Sequence, residues 1–343
     1  MGSSRPMAVT PQTNTTLAAI AEALRDRDHF VICGHVSPDG DCLGSQLALA
    51  AVLRQMGKKC VCVLAREEEP PRDLAFLPGF DGLMPAAAYK GPCEVFVAVD
   101  VPTTERVGDA ARLQAAADLT VTVDHHAVPT VMSALSYTDP AAASTTMLIW
   151  ELAAALGAER DRIVATCCYT GLMTDTGRFQ YQNADAAAFA AAAEMVAAGA
   201  EPAAISRHIY QSRSLASILL EGRNVDHMAL AVDGTAALSW LSLADFEACG
   251  ACKADAEPMV DVLRAIDGVE VACMLREQSG GEIRGSLRAK GDADVAAIAR
   301  AFGGGGHTAA AGFTFCGTLA EAVSALAARL GIEEPCLPAE ASL

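Results

Sequence analysis

One imidazole and two carboxylates stand within seven residues near the start of the chain, in the stretch His35-Val36-Ser37-Pro38-Asp39-Gly40-Asp41. The apolar run Phe30–Cys33 precedes this stretch and apolar residues at helical spacing follow it, which predicts a strand, a tight turn and a helix. Imidazole and carboxylate groups that converge on one point are typical ligands of a divalent metal. Aspartate and glycine are also common turn formers, so the stretch by itself leaves an ordinary turn equally open.

Three further polar clusters follow predicted strands or helices. Asp100 follows one apolar run, and Asp124-His125-His126 follows the next. Asp175 comes after a predicted helix, where a turn residue is the alternative. Strands separated by helical patterns predict an α/β fold with a doubly wound parallel sheet, which binds ligands beyond the carboxyl ends of its strands. These clusters and the His35–Asp41 stretch are therefore expected to line one crevice.

The crevice would hold five aspartates and three histidines. Burying that much negative charge is very costly, so either the carboxylates take up protons or cations neutralise them. Two divalent cations would balance four ligating carboxylates, and a pair of metal ions can activate a water for attack at phosphorus.

The chain of 343 residues is long enough for two domains. Residues 12–200 are predicted to form the domain with the metal crevice. Residues 201–226 lack strand signals and are predicted to be a helical connector. Residues 227–335 combine a hairpin, short strands and helices with a run of four glycines, which predicts a smaller mixed α/β domain. The glycine run suits the close approach of a phosphate, with a flexible linker as the alternative.

Composition limits the partners and the location. A hydrophobic content of 52% with 20% charged residues is typical of a soluble globular protein, and no run approaches the roughly 20 apolar residues of a membrane span. The formal charge of -17 argues against long nucleic acids as partners. The polar first residues lack a signal core, so a cytoplasmic protein with reduced cysteines is expected. The pair Cys249 and Cys252 has no second pair nearby, which disfavours a zinc or redox site.

These motifs, taken in order, resemble the DHH phosphoesterase superfamily in its branch with a C-terminal DHHA1 domain. The Asp-His-His that names the superfamily is Asp124-His125-His126. The resemblance also includes His35–Asp41, Asp100 with the following Arg106-Val107-Gly108, Thr174–Phe179, and Gly303–His307 with Ser286 and Arg288 upstream. In size, and in having no further sensory or OB domain, the chain is similar to the NrnA-type oligoribonucleases that also act on 3′-phosphoadenosine 5′-phosphate.

The resemblance implies two metal ions and assigns their ligands. One ion would be held by His35, Asp39 and Asp100, and the other by Asp41, Asp100, His125 and Asp175. Asp100 would bridge the ions, Asp124 would steady the ligands, and His126 would face the substrate phosphate. Asp41, Asp100 and His126 are then the expected catalytic residues. Imidazole among the ligands favours Mn²⁺, with Co²⁺, Fe²⁺, Mg²⁺ and Zn²⁺ as alternatives.

The resemblance also implies substrates and an assembly. The expected substrate-binding residues are His126, Ser286, Arg288, Gly303, Gly304, Gly305, Gly306 and His307. The expected substrates are short oligoribonucleotides, linear dinucleotides such as pGpG and pApA, and 3′-phosphoadenosine 5′-phosphate. A homodimer through the first domain is expected as well. The alternatives are a cyclic di-AMP phosphodiesterase, an inorganic pyrophosphatase and a nucleotide-binding module without turnover.

Overall fold

The computed structural model of the chain describes residues 13–127, 131–306 and 308–338. The chain folds into two compact units, Met1–Ser212 and Arg213–Leu343. Each unit is built on its own six-stranded sheet and has its own hydrophobic core. The segment 201–226, predicted to be a helical connector, contributes one helix to each unit.

The sheet of the first unit is parallel throughout. Its strands are β1 (Phe30–Cys33), β2 (Cys60–Leu64), β3 (Met84–Pro85), β4 (Val95–Val99), β5 (Leu119–Asp124) and β6 (Leu135–Thr138). The strand order is β3-β2-β1-β4-β5-β6, and every neighbouring pair is parallel. The order reverses between β1 and β4, which is the point where doubly wound sheets bind ligands. The predicted fold class is confirmed.

Helices cover both faces of this sheet. They are α1 (Leu17–Arg25), α2 (Gly40–Gln55), α3 (Ala111–Ala116), α4 (Thr145–Leu156), α5 (Arg162–Asp175), α6 (Ala186–Ala197) and α7 (Pro202–Tyr210). Helices α2, α4 and α5 pack together over the larger core. A 3₁₀ segment, Thr104–Ala110, and α3 cover a smaller core on the opposite face. Central strands covered on both sides explain why β1 and β4 are apolar at every position.

Helix α2 begins earlier than its apolar pattern predicted. The Asp39 side chain accepts hydrogen bonds from the backbone N–H groups of Asp41 and Cys42 and caps the helix, so that Gly40 is its first residue. Asp41 therefore lies in the first turn of a helix and not in the predicted strand-to-helix turn. Its carboxylate is held by helical geometry.

The second unit is a mixed α/β structure, as predicted. Its strands are β7 (Ala229–Leu230), β8 (Ala236–Leu241), β9 (Val271–Glu277), β10 (Glu282–Ala289), β11 (Gly305–Gly306) and β12 (Ala310–Cys316), in the order β11-β12-β10-β9-β8-β7. Only β8 and β9 pair in parallel among these described strands. The helices are α8 (Leu215–Asp226), α9 (Leu243–Cys249), α10 (Met259–Arg264), α11 (Val295–Ala301) and α12 (Leu319–Leu330). Helices α11 and α12 cover one face, and α8 and α10 cover the other.

None of the helices in the described part of the chain is, by itself, long and apolar enough to cross a bilayer. Helices α6 and α7 meet at 109° and reach the required length and composition only when they are taken as a bent pair.

Candidate active site

The crevice at the carboxyl ends of β1, β4 and β5 collects the predicted metal-ligating residues. His35 follows β1, Asp100 follows β4, and Asp124 ends β5. Helices supply the remaining carboxylates, from the start of α2 and the end of α5. The structure brings together His35, Asp39, Asp41, Asp100, Asp124, His125, His126 and Asp175.

His35 is buried and turns one ring nitrogen toward two carboxylates. Its Nε2 atom lies 3.5 Å from Oδ2 of Asp100 and 3.7 Å from Oδ2 of Asp39. Its Nδ1 atom is 2.9 Å from the carbonyl oxygen of Val36. A proton on Nδ1, donated to this carbonyl, leaves the lone pair on Nε2 that a metal ligand needs.

Asp100 occupies the centre of the crevice. Its Oδ2 atom faces His35, and its Oδ1 atom lies 3.6 Å from Nε2 of His125 and 3.5 Å from Nδ1 of His126. The residue has a φ of 58°, in the left-handed region that a non-glycine residue enters at a cost. One carboxylate therefore reaches both sides of the site.

Asp41 is held by the N-terminus of α4, a contact that sequence reasoning missed. Its two carboxylate oxygens accept hydrogen bonds from the backbone N–H groups of Thr145 at 2.6 Å and Thr146 at 2.9 Å. The Thr145 hydroxyl also donates to Oδ1 of Asp100 at 2.9 Å. The local signal was present, because Ser144 is a good N-cap, but nothing local shows that this helix points at Asp41.

The two histidines of the Asp-His-His motif both lie near Asp100 and Asp124, but their rings face different further groups. Nε2 of His125 lies 3.3 Å from Oδ2 of Asp175 and 3.8 Å from Oδ2 of Asp41. Oδ1 of Asp124 accepts the backbone N–H of His125 at 2.9 Å and lies 2.8 Å from Nδ1 of His126. Asp124 therefore orients both histidines from the end of β5.

Burial and mutual repulsion set the protonation of the crevice. Burial and the Asp100 charge raise the pKa of Asp41 to about 7, and burial with the Asp41 charge raises the pKa of Asp175 well above its usual range. Burial opposes the charged form of His35, but hydrogen bonds to Asp100 and Asp39 outweigh it and raise the pKa to about 11. A cation that binds in this crevice would therefore displace protons from its ligands.

The donor atoms have the spacing of ligands to divalent cations. Two ligand atoms about 2.1 Å from one ion lie about 3 to 4 Å apart. The distances from Nε2 of His35 and Nε2 of His125 to the neighbouring carboxylates, 3.3 to 3.8 Å, fall within that range. The described residues form three such groups, namely His35 with Cys42 and Asp100, Asp100 with His125 and His126, and Asp41 with His125 and Asp175. Sequence reasoning did not name Cys42, a buried thiol whose pKa burial raises well above its usual value. Nitrogen and oxygen donors in these groups fit a divalent metal centre.

The predicted substrate-binding residues of the second unit lie on neighbouring strands. Ser286 and Arg288 alternate along β10 and so share one face of the sheet. Ser286 pairs with Gly312 of β12, which pairs in turn with Gly305 of β11. The guanidinium of Arg284 lies beside Gly312, within 2.9 Å of the position that a Cβ would take there. Arg284 is a second basic residue on this face that sequence reasoning did not name.

The four glycines have different surroundings. A Cβ on Gly304 would clash with the carbonyl oxygen of Gly312. A Cβ on Gly306 would lie 2.6 Å from the carbonyl oxygen of Ala310. Gly303 follows α11 with a φ of 74°, whereas the Cβ position of Gly305 has no atom of the described residues within 4 Å. Close packing therefore explains Gly304 and Gly306, and the run is part of the sheet edge. His307 lies outside the described residues.

Known proteins are similar to this chain over most of its length. The sequence matches the DHH family, N-terminal domain, over residues 29–172 and the DHHA1 domain over residues 248–331. It is 30% identical over 299 residues to the bifunctional oligoribonuclease and PAP phosphatase NrnA of Thermus thermophilus, covering 87% of this chain and 88% of that protein. The protein of the same name from Bacillus subtilis is 27% identical, over 83% of this chain and 88% of that protein.

A solved structure is similar over nearly the full length. The exopolyphosphatase-related protein of Bacteroides fragilis superposes with a TM-score of 0.87 at 28% identity, covering 92% of this chain and 95% of that one. The resemblance predicted from the motifs is thus confirmed. The chain belongs to the DHH phosphoesterases, in the branch that carries a C-terminal DHHA1 domain.

Proposed function

We propose that the protein is a two-metal phosphodiesterase that hydrolyses short oligoribonucleotides and linear dinucleotides to mononucleotides, and 3′-phosphoadenosine 5′-phosphate to AMP. The observation that carries this proposal is the position of Asp100, whose two oxygens face His35 on one side and His125 on the other. The names of the Thermus and Bacillus relatives supply the substrate class.

The metal ligands in this proposal are those expected from the sequence. His35, Asp39 and Asp100 hold one ion, and the other has the ligands Asp41, Asp100, His125 and Asp175. A bound metal pair supplies an activated water and stabilises the attacking and leaving oxygens at phosphorus. We favour Mn²⁺ for the mixed nitrogen and oxygen ligands, ahead of the alternatives Co²⁺, Fe²⁺, Mg²⁺ and Zn²⁺.

The remaining residues of the crevice position the metal ligands and the phosphate. The backbone N–H groups of Thr145 and Thr146 favour the ionised form of Asp41, and Asp124 steadies both histidines. Because Asp124 holds the Nδ1 side of His126, we assign the Nε2 side of that ring to the substrate phosphate. His126 thus serves the substrate and not a metal ion.

In this proposal, residues of the second unit bind the nucleotide. Arg288 can form a bidentate contact with a phosphate, and Ser286 can donate a hydrogen bond from the same strand face. The open Cβ position of Gly305 leaves room for a ligand against the backbone. We assign this role to residues 227–335 and the hydrolytic role to residues 12–200.

If the second unit binds the nucleotide and the first unit hydrolyses it, Arg288→Ala should weaken the binding of nucleotide substrates selectively. The KM for pApA should rise about 10- to 100-fold, because a charge-assisted contact is removed. Hydrolysis of bis-p-nitrophenyl phosphate, which has no nucleotide to grip, should stay nearly unchanged. Gly305→Ala should behave in the same way without loss of stability, since its Cβ would contact none of the described residues.

Two further variants serve as the negative and the positive control for Arg288→Ala. Arg300→Ala is the matched control, because Arg300 is an exposed arginine of the same unit that pairs with Asp294 at 3.3 Å. It should leave both activities unchanged, whereas Asp41→Ala should abolish both. Equal loss of both substrates in Arg288→Ala would contradict a separate gripping role for the second unit.

A substrate panel tests the proposed activity and its alternatives. Phosphate or mononucleotide release with Mn²⁺ is measured for pApA, pGpG, 3′-phosphoadenosine 5′-phosphate, cyclic di-AMP and pyrophosphate. We expect release from the linear dinucleotides and from 3′-phosphoadenosine 5′-phosphate. Turnover of cyclic di-AMP or pyrophosphate alone would replace the proposal with one of the alternative enzymes, and release from none would favour a binding module.

We also propose a homodimer that acts in the cytoplasm on small nucleotides, without long nucleic acid partners. The net charge of -17 supports the limit on partner size, since little positive charge is available for a long phosphate backbone. The dimer is inferred from family resemblance. Sedimentation at micromolar concentration is expected to give twice the chain mass of 35.4 kDa, and a monomer would refute it.

A further inference from the structure

The motif Arg106-Val107-Gly108 has no role in the chemistry proposed above, yet it lies against the loop that carries His35. It belongs to the 3₁₀ segment Thr104–Ala110 that follows Asp100. Gly108 has a φ of 58°, and a Cβ there would clash with the carbonyl oxygen of Ala65 and lie 3.2 Å from Cγ1 of Val36. Only glycine permits this close approach, so the segment is fixed against the loop.

Arg106 contacts both backbone polar groups of Val36, the N–H and the carbonyl oxygen. Its backbone carbonyl accepts the N–H of Val36 at 2.9 Å. Its Nη2 atom lies 3.3 Å from the carbonyl oxygen of Val36 and 3.1 Å from Nδ1 of His35. The same carbonyl oxygen is the 2.9 Å neighbour of that Nδ1 atom. One carbonyl oxygen is therefore within hydrogen-bonding distance of both a guanidinium and the imidazole of a proposed metal ligand.

A histidine metal ligand is a neutral imidazole, and for the neutral ring the direction of these hydrogen bonds limits the tautomer of His35. A guanidinium has donors and no acceptor, so it can bond to Nδ1 only when the imidazole proton is on Nε2. A proton there would block the atom that faces Asp100 and Asp39. When Nε2 is free, Nδ1–H donates to Val36, and Nη2 of Arg106 donates to the same oxygen. This second arrangement is the one that is compatible with a metal ligand.

We propose that Arg106 is a positioning residue that holds the Val36 carbonyl and thereby fixes the ring orientation and the tautomer of His35. This inference rests on the proposed function, because it takes His35 to be a metal ligand. The Nε atom of Arg106 is buried without a hydrogen-bond partner among the described residues. A buried, unsatisfied donor is unfavourable for stability, so stability alone does not account for an arginine here.

Titration of the metal-free protein with Mn²⁺ tests the inference without measuring turnover. Free Mn²⁺ is followed by electron paramagnetic resonance in the wild type, Arg106→Met and Arg106→Lys. Methionine keeps most of the side-chain volume and the backbone bond to Val36, and it removes the donors together with the positive charge. We expect one of two Mn²⁺ positions to weaken about 10- to 100-fold, as for other residues that orient metal ligands. Lysine should recover part of the affinity, because its ammonium group can still donate to Val36.

Arg112→Met is the matched control for a merely structural effect. Nη2 of Arg112 donates to the carbonyl oxygens of Ala86 and Tyr89 in the same unit, at 2.5 and 2.6 Å. Both methionine variants should lower the melting temperature, but only Arg106→Met should weaken Mn²⁺ binding. Unchanged binding in Arg106→Met, or equal weakening in Arg112→Met, would overturn the positioning role. If the wild type bound no Mn²⁺, the proposed function would fail instead.

Discussion

Replacement of Asp100 by asparagine is expected to abolish hydrolysis of pApA and to lower the bound Mn²⁺ from two ions per chain to one or none. The Asp100 carboxylate has one oxygen 3.5 Å from Nε2 of His35 and the other 3.6 Å from Nε2 of His125. An amide offers a single neutral oxygen, so it cannot serve both positions. Bound metal ions stabilise the transition state by several kcal/mol, so the rate should fall about a thousandfold or more.

Asparagine is chosen so that a loss of metal binding or activity can be distinguished from a loss of folding. Asparagine tolerates a left-handed backbone better than most residues, which matters at this position because Asp100 has a φ of 58°. Asp100→Ala should show the same loss with added backbone strain. Asp28→Asn is the control, because Asp28 precedes β1 and accepts the backbone N–H of Lys59 at 2.7 Å. Elemental analysis that found two ions in both Asp100 variants would show the bridging assignment to be wrong.

Sequence reasoning predicted the strands of the first unit best where they are central. Strand β1 has the bounds that its apolar run predicted, and β4 ends directly before Asp100, as expected. A strand buried on both faces must be apolar throughout, so its ends are visible as the first polar residue. Those polar residues, His35 and Asp100, are also ligands of the proposed centre. The doubly wound topology thus made both the fold and the crevice predictable from local patterns.

The edge of the same sheet was not predictable in this way. Strand β6 (Leu135–Thr138) alternates apolar and polar residues over only four positions and was missed. The edge of β6 that pairs with no other described strand is covered by two side chains from the start of the chain. The Asn14 side chain accepts a hydrogen bond from the N–H of Ser136, and the Thr13 hydroxyl hydrogen-bonds to the backbone of Thr138. Both contacts span more than 100 residues of sequence. A short strand stabilised by such distant side chains has no local signal.

The supporting contacts of the site were missed for the same reason. Asp41 receives its hydrogen bonds from Thr145 and Thr146, residues more than 100 positions away that the α/β topology brings to it. The interaction of Arg106 with Val36 spans 70 positions. Residue type and spacing identified the ligands, because metal chemistry restricts the choice of side chains. Thr145 and Thr146 orient Asp41 through backbone N–H groups, which nearly every residue possesses, so only the fold identifies them.

His126→Ala is expected to keep both Mn²⁺ ions and to lose about 10²- to 10⁴-fold in kcat for pApA. Nδ1 of His126 is 2.8 Å from Oδ1 of Asp124. Burial opposes its charged form, but the hydrogen bond and the charge of Asp124 raise the pKa of His126 above its usual value. The hydrogen bond to Asp124 thus favours the imidazolium form, which can act on the phosphate through Nε2.

The leaving group distinguishes two ways in which this imidazolium can act. If Nε2–H gives its proton to the departing sugar oxygen as the P–O bond breaks, p-nitrophenolate needs no such help, and bis-p-nitrophenyl phosphate should lose much less rate than pApA in His126→Ala. If the ring only stabilises charge on the non-bridging oxygens, both substrates should lose rate equally. Loss of a metal ion from His126→Ala would contradict both roles, because it would place the residue among the ligands. Since Nδ1 of His126 also lies 3.5 Å from Oδ1 of Asp100, the metal count must accompany the rates.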